Sequence, residues 1–191
     1  AYGVHSRKEK MDVYFVKTQG TGDRSVNKDL GFTRAHHVML SYGFKISDNM
    51  NMKIEPYFQQ LYDVPVIADS SYSVLNRRDF YVENALVNRG KGRNIGVDIT
   101  LERYLNKGLY YMVTASIFDS KYYGGDRKWR NTLYNRNFIV NVLGGKEWMV
   151  GRDRQNMFSV NFKITLQGGD RYAPVDEVAT LLDPDREVQY D

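Results

Sequence analysis

The sequence predicts an all-β, antiparallel fold whose strands are long enough to form a transmembrane β-barrel segment. Three observations carry this expectation. Apolar and polar residues alternate with a period of two along most of the chain, the alternation outruns ordinary strands, and short and long connections take turns. No long window repeats apolar residues at the i, i+3, i+4 spacing of an amphipathic helix.

Taken in order, the first clear strand sets Val38, Leu40, Tyr42, Phe44 and Ile46 against Met39, Ser41, Gly43 and Lys45. After the polar turn Ser47-Asp48-Asn49, Met52, Ile54, Pro56 and Phe58 alternate with Lys53, Glu55, Tyr57 and Gln59. Pro56 has no N–H to give a ladder, so a local bulge is expected there. Next come Ile95, Val97, Ile99 and Leu101 against Gly96, Asp98, Thr100 and Glu102. Beyond Asn106-Lys107-Gly108, Leu109, Tyr111, Val113, Ala115 and Ile117 face away from Tyr110, Met112, Thr114 and Ser116. The stretch Phe138 to Leu143 is a weaker strand, because Ile139 and Leu143 put apolar groups on its polar side. After the turn Gly151-Arg152-Asp153-Arg154-Gln155, Phe158, Val160, Phe162, Ile164 and Leu166 oppose Ser159, Asn161, Lys163, Thr165 and Gln167.

A soluble β-sandwich also shows one apolar face per strand, so alternation alone does not settle the class. Length points further. From Gly92 to Tyr104, and from Leu109 to about Tyr122, the pattern persists past the usual strand of about 5–6 residues, and a tilted membrane strand needs about 9–11 to cross. Long polar stretches, about residues 18–33, 67–91 and 123–136 with another opening after Gly168, alternate with the tight turns, as in outer-membrane barrels. Tyr104, Tyr110, Tyr111 and Trp148 gather near the short turns, and Tyr62, Phe118, Tyr122, Tyr123 and Tyr172 near the long loops, as in two interfacial belts. Adding Phe138, Val140, Val142 and Gly144, the apolar faces comprise 27 positions without a charge, in a chain that is 26% charged. A Lys or Arg at mid-bilayer on such a face costs about 2–4 kcal/mol.

Several classes drop out on composition. A net charge of +4 is not the concentrated basic surface of a dedicated nucleic-acid binder. The chain contains no Cys, which removes disulfide frameworks and thiolate metal sites. No run of apolar residues is long enough for a spanning helix. The stretch Ala1-Tyr2-Gly3-Val4-His5-Ser6-Arg7 has no signal-peptide h-region, so an export signal is expected outside these residues.

Particular stretches also resemble a known family. Tyr2-Gly3-Val4-His5-Ser6 and His36-His37-Val38-Met39-Leu40-Ser41-Tyr42 are similar to the upper ends of barrel strands in TonB-dependent receptors of the carboxypeptidase-regulatory-like group. The likeness continues through Lys53 to Val66, and is most specific in Val87-Asn88-Arg89-Gly90-Lys91-Gly92-Arg93-Asn94-Ile95-Gly96-Val97-Asp98 and Thr114-Ala115-Ser116-Ile117-Phe118-Asp119-Ser120-Lys121-Tyr122. Arg130-Asn131-Thr132, Asn141 to Trp148 and Gly168 to Asp176 extend it over nearly the whole chain. The resemblance implies part of a 22-stranded plugged barrel in the outer membrane. It implies a plug and a TonB box outside these residues, an inner-membrane energy transducer, and a surface lipoprotein as a further partner. The implied function is energy-coupled uptake of a bulky nutrient: an iron chelate, a glycan or a peptide. Two alternatives stand beside it, a passive barrel or surface adhesin without a plug, and a soluble β-sandwich binding module. About six complete strands and the tip of an earlier one are expected, with neighbours supplied by other parts of the parent protein to cover the edges.

Candidate chemistry is sparse. His36 and His37 are adjacent in an extended segment and point to opposite faces, so they do not chelate one ion together. Asp98 and Glu102 lie four residues apart on one face, about 13 Å at 3.3 Å per residue, too far for a glycosidase pair. With Asn161 and Lys163 they are expected to face a solvated lumen. Arg89-Gly90-Lys91-Gly92-Arg93 has no helix after it and is expected to be a loop-to-strand transition. Neither Ser116 nor Ser159 has a His at a persuasive spacing for lipid cleavage. No catalytic set, metal or cofactor is expected. The ligand-binding candidates are in the loops: Arg77, Arg78 and Tyr81 beside Phe80, and Arg127, Trp129, Arg130 and Tyr134 beside Lys128. There, aromatic faces suit sugar rings or aromatic chelators, and Arg forks suit carboxylates or phosphates.

Overall fold

A computed structural model describes residues 1–17, 25–77, 84–172 and 181–182. Its strands are β1 (Tyr2–Arg7), β2 (Thr33–Met39), β3 (Tyr42–Ser47), β4 (Met50–Val66), β5 (Val87–Asn106), β6 (Leu109–Tyr123), β7 (Trp129–Asn131), β8 (Phe138–Val150) and β9 (Asn156–Gln167). Among the described residues the helical elements are one turn, α1 (Met11–Tyr14), and a 3-10 turn at Val74–Asn76, with Leu181 and Leu182 also helical. All pairs are antiparallel in one sheet of order β1-β2-β4-β5-β6-β8-β9, with β3 continuing β2 along β4 and β7 pairing β6 above β8. Among the described residues β1 and β9 do not meet, so the sheet is open and has no second layer.

The connections follow the expected rhythm. Lys107 and Gly108 close the β5–β6 hairpin with φ values of 51° and 73°, the two-residue turn whose twist suits a hairpin. A side chain at Gly108 would also overlap the Glu147 carbonyl oxygen. Strands β4, β5 and β6 are longer than the alternation alone marks, at 17, 20 and 15 residues. The weak stretch at Phe138 is the start of a 13-residue strand. The segment Arg89 to Arg93 is strand throughout rather than a transition.

Pro56 behaves differently from the expectation. Register is unbroken across it, with Met39 opposite Tyr57 on one side and Tyr42 opposite Ile54 on the other. Leu40 N still donates to Pro56 O at 3.1 Å, but Pro56 cannot return the bond. The missing rung separates β2 from β3 at Leu40–Ser41 without adding a residue. The register shifts of β4 lie elsewhere, opposite Lys45–Ser47 and between Leu61 and Pro65, where Asp63 takes φ 55°.

Register carries each face across the strands. One row runs Tyr42, Ile54, Ile99, Ala115, Val140, Leu166, and the next Phe44, Met52, Leu101, Val113, Val142, Ile164. On the other face the matching row is Gly43, Lys53, Thr100, Thr114, Asn141, Thr165. Neither face is sealed: Phe158 is 56% exposed, Phe162 52% and Ile164 60%, while Ile99 and Val113 are half-buried by their strand neighbours alone. The buried apolar cluster is small and lies among the long loops, where Val13, Val16 and Leu86 pack with Val26, Leu30, Ile67, Tyr72 and Val74. Asn27, buried, ties that end together: its Oδ1 accepts from Leu86 N at 2.8 Å and its Nδ2 donates to Asn84 O at 3.0 Å.

Candidate functional site

The long connections converge at one end of the sheet, and backbone contacts lock two of them together. Asp126 N donates to Ser70 O at 3.0 Å, and Leu133 N to Asn76 Oδ1 at 2.6 Å. Gly125 passes so close to this neighbour that a Cβ there would overlap the Ile67 carbonyl oxygen. Tyr134 OH then donates to Arg77 O at 3.3 Å, which brings two of the candidates from separate loops into contact. Arg77 is half-buried, and its Nη1 has no hydrogen-bond partner among the described residues. Tyr134 is 58% exposed beside it. The enclosed guanidinium nitrogen is left to donate, while the exposed phenol, its hydrogen committed to the Arg77 carbonyl, can still accept, a combination suited to a hydroxyl-bearing or anionic group that reaches Arg77.

The remaining loop candidates separate. Arg130 grips Asp126 with both guanidinium arms, at 2.9 and 2.6 Å. That donation holds the Asp126 carboxyl below its ordinary range, and Asp126 in turn raises the Arg130 pKa. Arg127, at φ 63°, is exposed. Trp129 turns away from this group, onto the apolar side of the sheet. There Arg93 lies over its ring at 5.6 Å and Tyr123 packs against it at 5.4 Å. Arg78, Phe80 and Tyr81 fall outside the described residues.

Register places the other candidates, Asp98, Glu102, Asn161 and Lys163, on the polar face of the sheet. Glu102 and Lys163 share the row Lys45, Asn51, Glu102, Met112, Leu143, Lys163. Asp98 accepts from Ser116 Oγ at 2.5 Å, and Asn161 accepts from Tyr110 OH at 2.7 Å. Nearer the loops a hydrogen-bonded chain crosses four strands on this face. His37 pairs with Gln59, Asn94 Nδ2 donates to Gln59 Oε1 at 2.6 Å, Ser120 Oγ donates to Asn94 Oδ1 at 2.6 Å, and Thr132 Oγ1 to Ser120 Oγ at 3.0 Å. His5 joins its end, with ring centroids 4.7 Å from His37, while His36 points to the opposite face between Tyr2 and Tyr62.

Neither this polar chain nor the buried Asn135 node was singled out by sequence pattern. Asn135 Nδ2 bonds Asp119 at 2.9 Å and Asn131 at 3.1 Å. Carrying the alternation two residues past Ile95 to Arg93 would have found the cation beside Trp129. Among the described residues, no cluster of three or more His, Cys, Asp or Glu could hold a metal ion, and no helix is long and apolar enough to cross a membrane. Compared with protein-family models, characterised proteins and solved structures, the chain finds no match in any of the three.

Proposed function

We propose that this chain is a stretch of the wall of an outer-membrane β-barrel, closed by further strands, and that it serves energy-coupled uptake as a TonB-dependent receptor. The observation that carries the proposal is a band of uncharged side chains continuous across the sheet. On β5 the nearest charges on that face are Arg93 and Arg103, with Ile95, Val97, Ile99 and Leu101 between them. Ten residues at 3.3 Å span about 33 Å along the strand, or about 25 Å of height at a tilt near 40°, the height of a barrel's lipid-facing band. The opposite face is hydrophilic and hydrogen-bonded, as a wet interior requires. A sandwich would need a second sheet over the apolar face, and every described strand belongs to one sheet.

In this reading the wall does no covalent chemistry and needs no cofactor. Outward residues meet lipid. Asp98, Glu102, Asn161 and Lys163 face the lumen and a plug, and the Arg77–Tyr134 pair contributes to ligand capture at the loop end. The inner-membrane transducer and a surface lipoprotein would act through other parts of the assembly.

The chain's lack of Cys makes the test direct. Single cysteines at Met112, Val113, Thr114 and Ala115 are spin-labelled in protein reconstituted into lipid, and collision with oxygen is compared with collision with a water-soluble nickel chelate. Oxygen contact at 113 and 115 with chelate contact at 112 and 114 supports the wall. Equal chelate access at all four, or none at any, refutes it. Uptake abolished by a protonophore separates the active receptor from a passive barrel, which would instead conduct ions in a planar bilayer.

A further inference from the structure

The outward face does not stay apolar to the strand ends, and its two ends differ. Above the band on the loop side, register places Arg93 beside Lys121, and Lys91 beside Tyr123 and Trp129 in the next row. Arg34 stands on the same face further along, opposite Tyr62. Cations and aromatic rings interleave here: Lys91 Nζ is 5.7 Å from the Tyr123 ring centroid, and Arg93 lies over Trp129. Lys121 pairs with Asp119 at 3.2 Å. Neither Arg34 nor Lys91 has a carboxylate partner among the described residues, and Arg93 Nε has no hydrogen-bond partner among them. At the turn side the same face carries Arg103, opposite Met50 and Tyr111, and Lys146, whose Nζ is already committed to the Lys107 carbonyl at 2.7 Å; two cations stand here against four on the loop side.

We propose that the belt of Arg34, Lys91, Arg93 and Lys121 binds phosphate head groups of the lipid leaflet on the loop side. This rests on the barrel-wall reading, since only then does the outward face meet lipid. Charge complementarity names the occupant. Asp119 shares this face beside Ile95 and pairs with Lys121, and past it Arg93, Lys91 and Arg34 leave the face net positive, at the depth where lipid phosphates sit. Guanidinium forks and ammonium groups bind phosphate oxygens by charge-assisted bonds, and Tyr123 and Trp129 are the ring types that settle at that interface. The belt faces away from the lumen, so it is separate from the loop donors assigned to cargo.

The test reconstitutes the protein into phosphatidylcholine vesicles with and without phosphatidic acid and counts co-purifying lipids by native mass spectrometry. Preferential retention of phosphatidic acid is expected. It should fall about fivefold for each cation neutralised in Lys91→Gln, Arg93→Gln and Lys121→Gln, singly and combined. Lys146→Gln, on the same face at the other end, should leave it unchanged. Insertion without lipid preference, or a preference weakened equally by Lys146→Gln, overturns the belt and leaves the barrel standing. Displacement of the lipid by inorganic phosphate overturns the lipid assignment in favour of a free anion. Failure of the unaltered protein to enter either vesicle overturns the barrel reading, and the belt with it.

Discussion

Asp126 sits where two connections touch, and its partner determines how that contact responds to acid. The Arg130 fork favours the ionised carboxyl, so the folded pKa lies below the unfolded value of about 3.9. A depressed carboxyl contributes stability above the unfolded pKa and loses it as pH falls through the folded one. Hydrogen exchange over residues 124–130 should therefore stay slow from neutral pH to about pH 4 and quicken below it. Asp126→Asn should exchange faster at neutral pH and show no acid step. Gly125 is the steric counterpart. Gly125→Ala would drive the segment off the Ile67 carbonyl, at a cost of roughly 1–3 kcal/mol by urea unfolding in detergent, with faster proteolysis between 124 and 137. Sequence pattern singles out Arg130 and Tyr134 as candidates because cations and aromatics stand out in a loop. It missed Asp126 and Gly125, since a bidentate clasp and a close backbone approach depend on which loops become neighbours.

Strands were far more legible, because period-two alternation records which face each residue takes. All but one of the 27 uncharged positions share one face by register; Ile46 lies at the β3–β4 irregularity. Strand ends were less legible. β5 begins at Val87 although Arg89 and Lys91 read as loop, since alternation measures environment and polar residues also occupy strands that rise into water. Pro56 was recognised as a disruption, but its form was misjudged. Proline removes a donor, and a ladder tolerates a missing rung without inserting a residue. Pro56→Val restores the donor opposite Leu40. It should slow amide exchange on both strands there and raise stability by about 0.5–1.5 kcal/mol, the net worth of one such bond.

At the scale of the molecule, a sheet with two open faces and two free edges cannot hold itself together as a globule does. The buried apolar cluster among the described residues lies in the loops, and in the proposed wall the outward rows would be covered by hydrocarbon. The two faces should therefore tolerate charge unequally. Val113→Lys should cost about 2–4 kcal/mol of folding free energy in lipid, while Thr114→Lys, one residue away and facing inward, should cost well under half of that. Equal penalties at both positions would contradict a wet interior. The all-β, antiparallel class could be read from the residues because hydrophobicity is written locally. Barrel closure is not read the same way, because it depends on partners for β1 and β9 that no local pattern encodes.

The length of β5 has one more consequence. Six of its residues, Val87 to Gly92, continue beyond Arg93, about 20 Å along the strand and roughly 15 Å in elevation at a 40° slant. In the barrel proposed here the mouth would stand above the head groups like a chimney above a roof, and a captured molecule would be held clear of the lipid.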